Sequence, residues 1–308
     1  MKDIMEYLEI PYIKLKIHII FSEQTSLPEN KVSALRGGMG EMLLRENCIN
    51  NRECASCCFE EECIVRRTLY TRMDKKPAFM QGNDSIGYLI ECENYETEFG
   101  EGDGLYFSLI LFGRNLVYFS QYLEAFYQLG INGLGKCHSR FYIQDIYTAT
   151  GMPVLTEGEV RMDNYRYEMV SQYVKRRMQK LQKMGCKNSM RFITPLSLKY
   201  KGEYIQQFQT EAIWQALSRR IQMMNYFVGH YYELIQFSEC PEILFQKNRR
   251  CVVKRYSSTQ DSKINLVGIK GEVQFEAIPE TYLPFLIAGE LFHIGKNSSF
   301  GFGKYIVS

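Results

Sequence analysis

The same punctuation closes both halves of the chain. Gly133, Leu134, Gly135 and Lys136 follow a helical pattern and precede a strand-like run; Gly301, Phe302, Gly303 and Lys304 do the same near the C-terminus. Two glycines around one apolar residue let a backbone turn sharply and approach another group closely. Repeated at equivalent places in 308 residues, the pattern predicts two related units.

The first half spells out one such unit. Ile13, Leu15, Ile17, Ile19 and Phe21 alternate with Lys14, Lys16 and His18, which predicts a half-buried strand with a basic outer face. Ser26 and Glu29 have capping-box spacing for a helix carrying Val32, Leu35, Met39, Met42 and Leu43. Gly37, Gly38 and Gly40 interrupt that helix, each at about 1 kcal/mol against alanine. Either the helix breaks there or something approaches closely. Strands are predicted at Ser85–Glu91 and Leu105–Phe112, a helix at Phe119–Leu129 ended by Gly130, and a strand at Arg140–Tyr147.

The second half repeats the scheme. Its predicted elements are a strand at Arg191–Tyr200, a helix from Thr210 to Leu234, strands at Cys251–Tyr256 and Ile264–Ala277, a helix at Pro279–Phe292 and a last strand at Lys304–Val307. The expected fold is α+β: two tandem ferredoxin-like βαββαβ domains, with a C-terminal glycine-rich loop and a cysteine-rich insertion in the first. The first domain is placed at 1–150 with its insertion at about 46–66, a basic connector at 151–186 and the second domain at 187–308.

Charge is small in sum and uneven along the chain. Net charge is +2, yet Val170–Arg191 holds seven Lys or Arg and no acid, with Arg176, Lys180, Lys183 and Lys187 at helical spacing. Lys247, Arg249, Arg250, Lys254 and Arg255 form a second acid-free stretch, while Glu91 to Asp103 is acidic. Such asymmetry suits a basic face for a polyanion, and solvated surface is the plain alternative for any single run. Early charges at Lys2, Asp3, Glu6 and Glu9 argue against a secretory signal, and no apolar run is long enough for a membrane span. A cytoplasmic protein without a membrane partner is expected, with its ten cysteines reduced.

The chemistry concentrates at the glycine-rich loops. Their N–H groups offer phosphate ligands, and Lys136, Lys296 and Lys304 add charge. Residues 130–136 match the spacing GxxxxGK, but Cys137 stands where a magnesium-binding hydroxyl belongs, and the loop follows a helix instead of opening one. Nucleotide hydrolysis is therefore set aside. RNA brings its own nucleophile, the 2′-hydroxyl, and a histidine titrating near neutrality can take that proton. His293 adjoins the second loop, with Lys296 placed to stabilise a phosphorane; His18 and His138 are reserve bases. Gly295, Gly301, Gly303, Lys304, Gly133, Gly135, Lys136, Arg255, Arg176 and Lys180 are the expected RNA contacts. No catalytic cofactor is called for. Cys48, Cys54, Cys57 and Cys63 have spacing for structural zinc, with packing of reduced thiols as the other reading.

Gly289–Tyr305 resembles the terminal helix, glycine-rich loop and last strand of the CRISPR-associated repeat-processing endoribonucleases of the RAMP superfamily. Phe192–Leu196, Arg255–Ser257, Gly268–Glu272, Leu35–Gly40 and the cysteines after them also resemble that family. The resemblance implies two ferredoxin-like domains, metal-independent cleavage of precursor CRISPR RNA within its repeats, and a 2′,3′-cyclic phosphate product. Its implied partners are CRISPR repeat RNA and other CRISPR effector subunits. The other function it allows is a non-catalytic RNA-binding RAMP subunit. Two departures stand out: Ser26–Arg45 holds no histidine, and Ser258, Thr259 and Gln260 replace an Arg-Gln pair common in the family.

Overall fold

The computed structural model describes residues 4–70, 72–80, 85–185, 188–257 and 262–308; Lys187, Ser258, Thr259 and Gln260 lie outside the described residues. The chain forms two compact units. One comprises Pro11–Asp74 and Met80–Tyr167, the other Met1–Ile10, Lys75–Phe79 and Glu168–Ser308. Both are mixed α/β units built on antiparallel sheets.

In the first unit the order is β1 (Pro11–Phe21), α1 (Val32–Asn47), β2 (Tyr88–Glu91), β3 (Gly104–Phe112), α2 (Phe119–Asn132) and β4 (Phe141–Thr148). The sheet runs β2-β3-β1-β4, continued by β5 (Pro153–Thr156) and β6 (Glu159–Val160). Those two strands carry the unit to Tyr167, past the boundary expected at residue 150. The alternation in β1 works as read: Ile13, Leu15, Ile17, Ile19 and Phe21 are buried against Leu35 and Met39 of α1 and Phe126 and Leu129 of α2. Burying each such side chain stabilises the fold by about 1.5–3 kcal/mol.

Helix α1 starts differently from the capping-box reading. Ser26 lies in a short strand paired with residues 98–99, and its hydroxyl donates to Glu98, so it cannot cap. The helix begins at Val32, whose N–H donates to the Asn30 side-chain oxygen at 3.2 Å, while Lys31 at the cap position makes no side-chain cap bond. Its glycines do not break it. A Cβ on Gly38 would come 2.5 Å from the Leu129 side chain, and one on Gly40 3.1 Å from Leu69, whereas Gly37 faces open space. Two of the three glycines thus serve close packing.

The second unit repeats the order: α3 (Val170–Met184), then β7 (Ser189–Leu196), α4 (Thr210–Phe227), β8 (Ile243–Ser257), β9 (Ser262–Phe275), α5 (Leu283–Phe292) and β10 (Tyr305–Val307). Its sheet runs β8-β9-β7-β10, the same strand order as β2-β3-β1-β4. Helix α4 stops seven residues before the expected Leu234, because Gly229 turns the chain with φ +88°. His230 and Tyr231 therefore lie outside it. The expected basic connector is not a connector: α3 packs on α5, and Arg177 reaches the buried Glu290 at 2.9 Å. Among the described residues no helix is long and apolar enough to cross a membrane.

Candidate active site

The two glycine loops share a conformation. Gly133 and Gly135 have φ +89° and +72°, Gly301 and Gly303 +82° and +76°, and the residues between them, Leu134 and Phe302, are fully buried. This backbone region favours glycine. The repeated tetrapeptide is therefore a repeated structure.

The loops do not offer their glycines to a ligand as expected. Gly301 and Gly303 are buried; the Gly301 N–H donates to Ser298 and the Gly303 N–H to Pro195. A Cβ on Gly303 would strike the Ile294 carbonyl, and one on Gly295 would come 2.7 Å from the Ser197 carbonyl. Close contact with the chain at the end of β7 explains Gly295, and close contact with Ile294 across the loop explains Gly303. Gly133 is likewise buried, its N–H donates to Leu129, and a Cβ there would strike the His138 carbonyl. Gly135, Lys136 and His138 are exposed at the turn.

His293 is the main correction. It is 1% exposed, with φ +55° at the C-terminal end of α5. A general base must touch the proton it removes, and this imidazole is enclosed. Its place is to brace the loop: its N–H continues the α5 ladder to Gly289, and the next N–H, of Ile294, donates to Gly303. Lys296 is exposed and lies over the Tyr204 ring at 6.0 Å, with Lys199 over the same ring at 5.1 Å. That Lys–Tyr–Lys group, a cationic surface carrying an aromatic ring, was invisible in the sequence because a short hairpin that pairs Lys199 with Tyr204 and the distant terminal loop supply it together.

Other basic residues are distributed as follows. Strands β8 and β9 form a hairpin paired from Ile243↔Phe275 to Ser257↔Ser262. Strand β7 accompanies β9 only as far as Leu196↔Ile269, so the rest of the hairpin runs on as a two-stranded ribbon. Lys247, Arg249, Arg250 and Lys254 are exposed along its edge strand. Arg255 lies over Phe300 of the terminal loop at 4.4 Å, which joins hairpin and loop. On α3, Arg176 is paired with Glu168 at 2.6 Å, whereas Lys180 is exposed.

In the first unit, Lys14 is neutralised by the buried Glu91 at 2.6 Å. His18 has a more specific setting. Its ring stacks on Tyr106, opposite it on β3, with centroids 4.0 Å apart and planes 7° apart. Lys16 lies 4.3 Å from the same tyrosine ring. A β-bulge between His18 and Ile19 places Asp145 of β4 opposite His18, with Nδ1 to Oδ2 at 3.9 Å. This is an electrostatic contact, too long for a hydrogen bond. Thr156 of β5 donates to the other Asp145 oxygen at 3.0 Å. Sequence reading missed Asp145 because the bulge shifts its side, and simple alternation would have put it inward with Ile143.

For zinc the fit fails. Among the described residues no three His, Cys, Asp or Glu gather into a group able to hold a metal. Cys54 and Cys58 are exposed, and the Cys48 sulfur accepts from the Arg52 N–H at 3.3 Å. No role is derived for a metal there.

Two antiparallel α/β units of equal strand order, each ending in a buried glycine turn beside basic side chains, define the class of protein. Residues 10–167, more than half of the chain, match the family model AF_1859_N, described as an N-terminal domain. Residues 190–305 match the model of the CRISPR-associated endoribonuclease Cas6. Residues 190–305 therefore form a domain of the Cas6 family of CRISPR-associated endoribonucleases, preceded by an N-terminal domain of the AF_1859_N type.

Solved structures have the same fold. A partial Cas6-RT-Cas1–Cas2 complex matches 97% of this chain at 13% identity and TM-score 0.59. This chain spans 46% of that one, and 29% of the matching chain in the Cas6-RT-Cas1–Cas2 complex. A Cas6 of Thermus thermophilus aligns over 96% of this chain and 98% of its own, at 10% identity and TM-score 0.50. A Cas6 product complex aligns over 97% and 99%, at 14% identity and TM-score 0.51. No curated protein matches the chain in sequence.

Proposed function

We propose that this protein cleaves precursor CRISPR RNA within its repeats, without a metal, through attack by the RNA 2′-hydroxyl. The observation that carries the reading is the match of residues 190–305 to the Cas6 endoribonuclease model. The shared strand order of the two units supports reading both as ferredoxin-like domains in tandem. In this reading the exposed Lys247, Arg249, Arg250 and Lys254 of the β8–β9 hairpin hold phosphates, together with Lys180, Lys296, Lys304, Lys136 and Arg255. Repeat RNA is the substrate. The Cas6-RT-Cas1–Cas2 assemblies among the structural neighbours support other CRISPR proteins as partners.

His18 is the proposed general base, in place of the enclosed His293. Its imidazole takes the 2′-hydroxyl proton as the O2′–P bond forms. The P–O5′ bond breaks and the 5′-oxygen takes a proton from water. The products are a 2′,3′-cyclic phosphate and a 5′-hydroxyl. Lys16, exposed two residues away on the same strand face, offers charge to the phosphorane.

One observation favours the second reading, an RNA-holding subunit that does not cut: α1 contains no histidine. Purified His18→Ala decides between them. The endoribonuclease reading predicts a cleavage rate lower by about 10²–10⁴ with repeat-RNA affinity kept. Equal rates for His18→Ala and wild type would move the base elsewhere. No cleavage by wild type, with tight binding, would leave the binding subunit.

A further inference from the structure

We propose that Asp145 is a positioning residue for His18, and that Gly104 is the residue that keeps the reactive nitrogen of that imidazole accessible. The inference rests on the reading of His18 as the base, and names the parts that would make it one.

The two ring nitrogens have different surroundings. Nδ1 faces Asp145 at 3.9 Å. Nε2 lies over the backbone of Gly104, where an added Cβ would be 2.5 Å from it. Gly104 sits in extended β3 and is exposed, so backbone conformation does not require glycine there. What requires it is room for the imidazole edge. The ring plane is fixed by the Tyr106 stack, and Tyr106 is itself 48% exposed. Two neighbouring strands therefore hold the histidine: β3 through a π-face and a missing side chain, β4 through a carboxylate.

The carboxylate is also held. Thr156 donates to Asp145 Oδ1 at 3.0 Å and leaves Oδ2 toward His18. Among the described residues, Tyr106 from β3 stacks on His18, Asp145 from β4 faces it, and Lys16 from its own strand lies over the same tyrosine ring. Asp145 is the one acid among them. A carboxylate on the Nδ1 side favours the proton on Nδ1 and leaves the Nε2 lone pair to accept one. At 3.9 Å the pair is an electrostatic contact that a small side-chain shift on substrate binding would close to a hydrogen bond. The bulge at Gln144 is what brings the aspartate to this face, as bulges beside functional sites do.

The test joins a spectroscopic readout to kinetics. Nitrogen-15 NMR of the imidazoles, assigned with His18→Ala, reports which His18 nitrogen carries the proton. The expectation is Nδ1–H in wild type and a mixed or reversed tautomer in Asp145→Asn. With repeat RNA, Asp145→Asn should lose at least about tenfold in kcat, up to the whole contribution of a general base, with KM within about twofold. Thr156→Val should lose less, and Asp145→Glu should recover part of the rate. Gly104→Ala should displace the His18 resonances and lower kcat while the circular dichroism spectrum is unchanged. An Nε2–H tautomer in wild type, or Asp145→Asn with normal tautomer and normal kcat, would overturn the proposal. If wild type cuts no RNA, the function fails separately: a tautomer that still depends on Asp145 supports the positioning, and one that does not removes it.

Discussion

Arg177 and Glu290 meet side by side inside the second unit, Nε to Oε2 at 3.0 Å and Nη2 to Oε1 at 2.9 Å. The same carboxylate accepts from the Tyr173 hydroxyl at 2.6 Å and the Val307 N–H at 2.8 Å. One buried glutamate thus ties α3, α5 and β10 together. Removing it leaves a mostly buried guanidinium without its anion, which costs about 3–5 kcal/mol. Glu290→Ala should shift the urea midpoint accordingly, and a double change of both residues to methionine should recover much of the loss. An unchanged midpoint in Glu290→Ala would refute this role.

Neighbouring glycines in α1 should respond oppositely. Gly37→Ala adds a methyl in open space and removes a helix penalty of about 1 kcal/mol, so it should stabilise. Gly38→Ala places a carbon 2.5 Å from Leu129, and overpacking of this kind costs about 1–3 kcal/mol. Denaturant midpoints moving in the same direction would contradict the packing described.

His293→Ala should act on stability and leave chemistry alone. The residue is enclosed at the entrance to the terminal loop, so truncation opens a cavity there. A lower melting temperature is expected, with cleavage per folded molecule near wild type. Loss of cleavage with an unchanged melting temperature would restore His293 as the base.

The β8–β9 hairpin carries an electrostatic prediction. Each phosphate contact releases condensed counterions, so the logarithm of affinity should fall linearly with the logarithm of salt concentration. Replacing Arg249, Arg250 or Lys254 singly by glutamine should reduce that slope by about 0.7 for single-stranded RNA. An unchanged slope in all three would place the RNA elsewhere.

The sequence made the architecture legible because its signals are local. The alternation of β1, the helix–glycine–strand endings and most strand positions can be read from neighbours along the chain. Helix ends were less legible: Gly229 ends α4 through a left-handed turn, and Ser26 is drawn into pairing with Glu98 instead of capping. The site was legible only in part. His18, Lys16 and the basic hairpin stand out as residue types, whereas their partners depend on tertiary register. Asp145 joins His18 through a bulge, and Gly104 matters through an imidazole from another strand. His293 misled for the converse reason. Its closeness in sequence to glycines and lysines suggested a ligand loop, but those glycines serve packing and the imidazole went inward with them.

The central claim is cleavage of repeat RNA without metal, and one incubation tests it most directly. Wild-type protein is mixed with a labelled CRISPR repeat RNA in excess EDTA, and the product ends are analysed. A single cut within the repeat, with a 2′,3′-cyclic phosphate on the upstream fragment and a 5′-hydroxyl on the downstream one, is the predicted result. Intact RNA in EDTA with cleavage restored by magnesium, or a 3′-hydroxyl product, would contradict it.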